Sequence, residues 1–234
     1  MASFGAGQLK MRKARSLITR ARGLLATEGL AALVKRSLKY FIFDATEYYL
    51  YELPIREMAD ADYPDSLGQF DVQVVRSVQE AEELAARFRF DLHERFINAE
   101  TCLHAGAVAI CMAVDGEIAH VGWVATSDEA ARAISPLRQR VEYSKGEAFA
   151  GGGLTLPEYR GNGLLRYGSL ARLRFLRQQG CTRLRYAVAV NNAPAIKGLA
   201  SLTPTAYGRA RHLRVLWWNR WRETPLARTG SGCR

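Results

Sequence analysis

Residues 153–165 read Gly153-Leu154-Thr155-Leu156-Pro157-Glu158-Tyr159-Arg160-Gly161-Asn162-Gly163-Leu164-Leu165. An extended, mostly apolar run stops at Pro157, which cannot donate to a sheet ladder. Three residues later a glycine-bearing turn at 160–163 opens onto a stretch with helical spacing that runs to about residue 179. Glycines allow a tight turn and a close approach to a ligand. A helix start offers unpaired N–H groups and the positive end of the helix dipole. Together these make a cradle for a pyrophosphate, with Arg160 as an added cation. An ordinary strand-to-helix loop can look the same, so the surroundings must decide.

Outward from this segment, strands and helices alternate. A strand over 147–155 leads into the turn, and Gly180 stops the helix that leaves it. Residues 186–190 are a continuous apolar run, as in a strand buried on both faces. A helix over 192–202 and one or two strands over 206–218 follow. Upstream, 107–114 and 117–125 flank Asp115-Gly116, the strongest short hairpin signal. A strand over 70–75, a helix over 78–90 continuing helically through 91–100, and a short helix near 128–135 complete the pattern. The main domain is therefore expected over 69–222.

Residues 9–42 carry two amphipathic patterns, with Leu17, Ile18, Ala21, Leu24 and Leu25 in the first and Leu30, Leu33, Val34, Leu38 and Phe41 in the second. This defines a basic helical extension over 1–45. The aromatic and acidic stretch after it, with Pro54, Pro64 and Gly68, reads as a linker or arm over 46–68. Residues 223–234 read as a flexible tail.

The order strand, proline, Arg160-x-x-Gly163, helix resembles the acyl-CoA-binding motif of the GNAT superfamily of N-acetyltransferases. The hairpin around Asp115-Gly116 looks like that family's central hairpin, and the strand at 186–190 followed by Asn191-Asn192-Ala193-Pro194 resembles its next motif. The resemblance covers about residues 70–218. It implies an α/β fold, a mixed central sheet flanked by helices, here with an N-terminal helical extension. It also implies acetyl-CoA or another acyl-CoA as acyl donor and no metal. The backbone of Leu154, Thr155 and Leu156 would pair with the pantetheine amides. The N–H groups of Arg160, Gly161, Asn162, Gly163, Leu164 and Leu165 would hold the pyrophosphate. Asn192 and Lys197 would lie near the thioester or the adenosine end, and the strands 147–155 and 186–190 would splay to admit the acyl chain. Three departures stand out: Leu165 replaces a small residue, Thr203-Pro204 lies where a Gly-Phe turn is usual, and Leu199 takes the place of the tyrosine that protonates the leaving thiolate.

Acyl transfer needs a deprotonated acceptor and a stabilised oxyanion. Glu147, opening the strand before the turn, is the candidate base, with a solvated strand-end glutamate as the competing reading. Tyr207 is the candidate acid in place of the missing tyrosine. A backbone N–H near Leu156 would serve the oxyanion. His120 could act through water, although a lone histidine on a half-buried strand is more often structural. The function implied is an acyl-CoA-dependent N- or O-acyltransferase acting on a small-molecule or amino-sugar-type acceptor in a ternary complex. The alternative is a non-catalytic binding module contacting nucleic acid or a partner protein.

Charge bears on partners. Of the net +10, residues 1–40 contribute +8, residues 41–154 contribute −11 and residues 155–234 contribute +13. Both ends should attract anions. For the N-terminal helices, contact with an anionic membrane and packing as a core or dimer arm are equally supported. The basic and aromatic stretch at 209–222 has no recognition helix, zinc module or RNA-binding signature beside it, which disfavours nucleic acid as the main partner. Four scattered cysteines without a metal-type spacing suit a cytoplasmic protein, at most membrane-peripheral. No run of 18 apolar residues is present, so no spanning helix is expected.

Overall fold

The computed structural model describes residues 43–55, 70–88 and 90–226. The helical patterns at 9–42 and most of the 1–45 extension lie outside the described residues. The described residues build eight strands, β1 (Phe43–Pro54), β2 (Asp71–Val75), β3 (Val108–Val114), β4 (Glu117–Ala125), β5 (Glu147–Thr155), β6 (Arg183–Ala189), β7 (Thr205–Val215) and β8 (Trp218–Pro225). The helices are α1 (Val78–Phe88), α2 (Leu92–Arg95), α3 (Ala99–His104), α4 (Asp128–Ile134), α5 (Leu164–Gln178) and α6 (Ala193–Ala200). One sheet runs β2-β3-β4-β5-β6-β1-β7-β8, and every neighbouring pair is antiparallel except β5–β6.

Alternation along the strands makes two cores. On one face Cys111, Val121, Trp123 and Phe149 pack against α1–α4 through Leu84, Phe88, Leu92, Leu103 and Ala130. On the other, Ile110, Val124, Ala148, Leu184 and Tyr186 pack against Leu170, Leu173 and Leu176 of α5, with Ile196 and Leu199 of α6 at the margin. The β3–β4 turn has Asp115 at φ 51° and Gly116 at φ 80°, the doubly left-handed conformation that an Asp-Gly pair favours.

The linker or arm expected over 46–68 is wrong in its described part. Residues 43–54 are an interior strand, paired with β6 on one side and β7 on the other. The segment has no simple period because both its faces are used: Leu50 is 1% exposed on one and Leu53 6% exposed on the other. Its tyrosines and leucines are good strand residues, but only the gap between β6 and β7 makes them one. The tail expected from residue 223 also begins too early, since β8 runs to Pro225. β6 starts at Arg183, earlier than the apolar run, because Arg183 and Arg185 face Glu52 and Glu147.

Candidate active site at the opening of β5 and β6

The two parallel strands pair over four rows only, Glu147↔Arg183 to Ala150↔Tyr186. Beyond that row β5 stays with β4, while β6 stays with β1 through Tyr48↔Ala189. The residues where β5 leaves β6 are Gly151, Gly152 and Gly153, and the last two are exposed. Leu156 donates its N–H to Ala119 O at 3.0 Å. Alternation along the strand then turns the Gly153 and Thr155 N–H groups away from β4, toward the opening.

β5 ends at a single 3₁₀ turn, Pro157–Tyr159, and Gly161 and Gly163 follow at φ 87° and 73°. Gly163 is the N-cap of α5 and provides no side-chain acceptor. The first backbone donors that find a partner inside the helix are Arg166 and Tyr167, both to Gly163 O. α5 has no acidic residue in its first turn, where acids are favoured, and instead carries Arg166 as its third residue. The buried Nε of Arg166 has no hydrogen-bond partner among the described residues. Arg160 is exposed beside it and reaches back to Thr155 O at 3.2 Å. Two cations at the positive end of a helix are unfavourable there unless an anion accompanies them.

At the other end of the opening, between α6 and the β6–β1 pair, lies a cavity of about 210 Å³ lined by Tyr51, Tyr186, Val188, Ile196, Leu199 and Thr203 among others. It is smaller than the usual pocket for a whole drug-sized ligand. The Tyr51 and Tyr186 rings stack at 5.5 Å. The Tyr186 hydroxyl is buried without a partner, and burial first, then Tyr51, push its pKa up against the opposing pull of Arg172. Tyr186 therefore keeps its proton. Arg172 is 6% exposed and pairs with no carboxylate among the described residues; it donates to Gly168 O and Ser169 Oγ. Burial lowers its pKa to about 10.

No family model matches the sequence, and no curated protein does. Solved structures do match. A GNAT-family acetyltransferase from Colwellia psychrerythraea is 17% identical over 89% of this chain and 72% of its own, with a TM-score of 0.47. A tandem GNAT protein from the clavulanic acid biosynthesis pathway is 16% identical over 82% of this chain and 58% of its own, with a TM-score of 0.48. A functionally unknown conserved protein from Staphylococcus epidermidis is 11% identical over 81% and 69%, with a TM-score of 0.47. This chain is similar to GNAT acetyltransferases. Likeness at such identity speaks to the fold alone.

The predicted site residues divide. Those of the turn come together: Thr155, Arg160, Gly161, Asn162 and Gly163 surround the start of α5, where Leu164 is buried at 3% exposure. The Leu165 side chain, which replaces the usual small residue, turns to α6, where a Cβ on Gly198 would lie 3.1 Å from its Cδ2. Leu154 pairs with Val121 and packs into the α1–α4 core. Leu156 cannot supply the oxyanion donor, because its N–H is taken. Asn192 is the N-cap of α6, accepting from Ala195 N at 3.2 Å, and Lys197 is exposed on the same helix.

The two expected catalytic side chains are tied elsewhere. Glu147 lies in the first of the four paired rows, about 10 Å from the opening at strand rise. Its carboxylate takes two 2.7 Å bonds from Arg185 and one of 2.9 Å from Glu142 N. Desolvation alone would raise its pKa, but the Arg185 and Glu142 bonds and the Arg185 and Arg183 charges outweigh it, and the pKa is lowered. That makes it a poor base. Tyr207 accepts from Gln139 Nε2 at 2.7 Å and has the Arg185 guanidinium 4.5 Å from its ring centroid, so it belongs to the same network. His120 is 1% exposed, bonded to Thr155 Oγ1 at 2.8 Å, and burial followed by Arg172 lowers its pKa to about 3. It stays neutral and away from water.

Because the folded-state pKa of Glu147 is depressed, the pair contributes stability above the ordinary glutamate value of 4.5, and this contribution is lost as pH falls through the folded pKa. Glu147→Gln should lower stability at neutral pH by about 2 kcal/mol, less than for a fully buried pair because Arg185 retains some water. It should also flatten the acid limb of stability against pH. Urea titrations of both proteins between pH 7 and pH 3 check this, and an unchanged acid limb would contradict it.

Sequence reasoning missed Arg166, Tyr51 and Tyr186 as site residues. Arg166 had a signal, a cation in the first turn of a helix, but the tyrosines had none without the pairing of β1 with β6.

Among the described residues no helix is long and apolar enough to cross a membrane, and no group of three His, Cys, Asp or Glu could hold a metal ion.

Proposed function

We propose that this chain is an acyl-CoA-dependent N- or O-acyltransferase, with acetyl-CoA as donor, a small acceptor of the amino-sugar type, and direct transfer within a ternary complex. One observation carries the reading: two parallel strands part at three glycines, and the freed strand leads to a helix start that bears Arg160 and Arg166 and no acid. The donor's pyrophosphate suits the N–H groups from Gly161 to Leu165 with the two arginines. Its amide-bearing arm suits the Gly153 and Thr155 backbone, and the thioester end lies toward the Tyr51–Tyr186 cavity.

The acceptor nitrogen or oxygen attacks the thioester carbonyl, a new C–N or C–O bond forms, and the C–S bond breaks. Tyr186, which stays protonated, donates a hydrogen bond to the departing sulfur. The proton shed by the acceptor reaches that sulfur through water. With Glu147 locked by Arg185, positioning supplies much of the acceleration.

Calorimetric titration with acetyl-CoA is expected to give micromolar affinity, and a set of amino sugars and amines can then be tested as acceptors. Tyr186→Phe should lower kcat about a hundredfold with KM little changed. No affinity for acetyl-CoA or any longer acyl-CoA would end the enzyme reading.

A further inference from the structure

Large apolar side chains that stand exposed among the described residues are Val215, Leu216, Trp217, Trp218 and Leu226, at 39, 47, 90, 48 and 38%. The first four are consecutive and form the tip of the β7–β8 hairpin. Leu216 sits there at φ 54°, a conformation that favours glycine or asparagine. An apolar residue is thus kept at a strained position where a polar one would fit better.

The register orders what lies behind the tip. On one face Val215 pairs with Trp218, Leu213 with Arg220, Arg211 with Arg222 and Arg209 with Thr224. Each step back is two residues, about 7 Å. An apolar end is therefore followed at about 7 Å by one exposed arginine, Arg220 opposite Leu213, and at about 14 Å by two, Arg211 and Arg222. Arg209, Arg211, Arg220 and Arg222 make no ion pair among the described residues, and Arg209 lies 5.1 Å over the Tyr49 ring. Arg209, Arg211 and Arg222 rim a depression of about 410 Å³ with Glu47 as its acidic member. The acid on the opposite face, Glu223, is engaged by Trp221 Nε1 and Arg140 N. The hairpin is held firm from that face, where Trp221 meets Tyr48 at 5.6 Å.

We propose that the β7–β8 hairpin docks the protein on an anionic lipid surface, with Leu216 and Trp217 entering the interface and the arginines meeting the phosphates. An interfacial element buries its apolar side roughly 5–10 Å, which matches one step of this register. Single-stranded nucleic acid would need several open aromatic faces set among the arginines, whereas here the ring beside them, Tyr49, is covered by Arg209, and the exposed apolar side chains lead at the tip. The proposal does not depend on the acyltransferase reading.

The full chain is tested against phosphatidylcholine vesicles with and without phosphatidylglycerol. Binding is expected only with phosphatidylglycerol, falling with salt, and brominated acyl chains should quench the tryptophan emission. The double variant Leu216→Asn, Trp217→Ser suits the left-handed turn, so its unfolding midpoint should hold while vesicle affinity falls at least about tenfold. Arg220→Ala with Arg222→Ala should weaken binding about fivefold per arginine. Vesicle binding unchanged in both double variants would overturn the proposal and return any membrane contact to the N-terminal residues. It would equally be overturned by hairpin-dependent binding of a single-stranded oligonucleotide without vesicle affinity, or by hairpin-dependent self-association without it.

Discussion

Replacing both Gly161 and Gly163 by valine should weaken acetyl-CoA binding by at least about a hundredfold, a loss of about 2.7 kcal/mol. Gly161 and Gly163 stand at φ 87° and 73°, where an L side chain costs roughly 1–2 kcal/mol each and a β-branched one more. A Cβ on Gly161 would meet nothing within 4 Å, and one on Gly163 would make only ordinary contact, 3.4 Å from Tyr167. Neither Cβ meets a clash, and the fold should survive with its stability lowered by about 2–4 kcal/mol from the left-handed backbone. Binding fails for another reason. The N–H groups from Gly161 to Leu165 act together only in this backbone conformation, and valine at either glycine both bends it and covers it. Calorimetry on the variant, beside far-UV circular dichroism, separates loss of site from loss of fold. Retained affinity in a folded variant would remove the turn from the donor site.

Gly168→Ala should destabilise the protein by about 2 kcal/mol, and Gly168→Val by on the order of 4 kcal/mol. Glycine inside a helix is normally the weaker choice by about 1 kcal/mol against alanine, so the alanine variant begins with that gain. The position reverses it. A Cβ on Gly168 would lie 2.4 Å from His120 Cδ2 and 2.5 Å from its Nε2. The imidazole cannot step aside, because Nδ1 is held by Thr155 Oγ1 and the residue is 1% exposed. Either α5 lifts from β4 or the His120–Thr155 bond breaks. Since Thr155 also bears the carbonyl that Arg160 holds, lifting α5 disturbs the turn as well. Pairing Gly168→Ala with His120→Ala should lose less than the two singles together, because the second change opens the space the first one needs. Additive losses in urea titration would show that the two residues do not share this contact.

Much of the main domain was legible from the chain alone, and for local reasons. Asp115-Gly116 between apolar runs can hardly do anything but turn a hairpin, and the extended 147–155 segment ending at Pro157 followed by Gly161 and Gly163 marks a strand, a turn and a helix start. Arg160 was visible as a cation beside that start, and the strand over 147–155 has the bounds expected. These features depend on φ preferences and short-range periodicity, which a sequence carries with it.

The rest needed partners distant in the chain. β1 is a strand because β6 and β7 leave a slot whose two faces accept Leu50 and Leu53. No period in 43–54 announces this. Glu147 looked like a base on the strand before the turn, but Arg185, thirty-eight residues away, claims both its oxygens. Tyr186 and Tyr51 become a stacked pair only through the same β1–β6 register, and Leu165 packs toward α6 only because Gly198 faces it. The sequence by itself determined the hairpin, the glycine turn and the helix it opens, since backbone conformation is chosen locally. Tertiary structure alone decided which side chains stay available for chemistry, since a carboxylate or hydroxyl is freed or bound by neighbours that only the folded chain brings near.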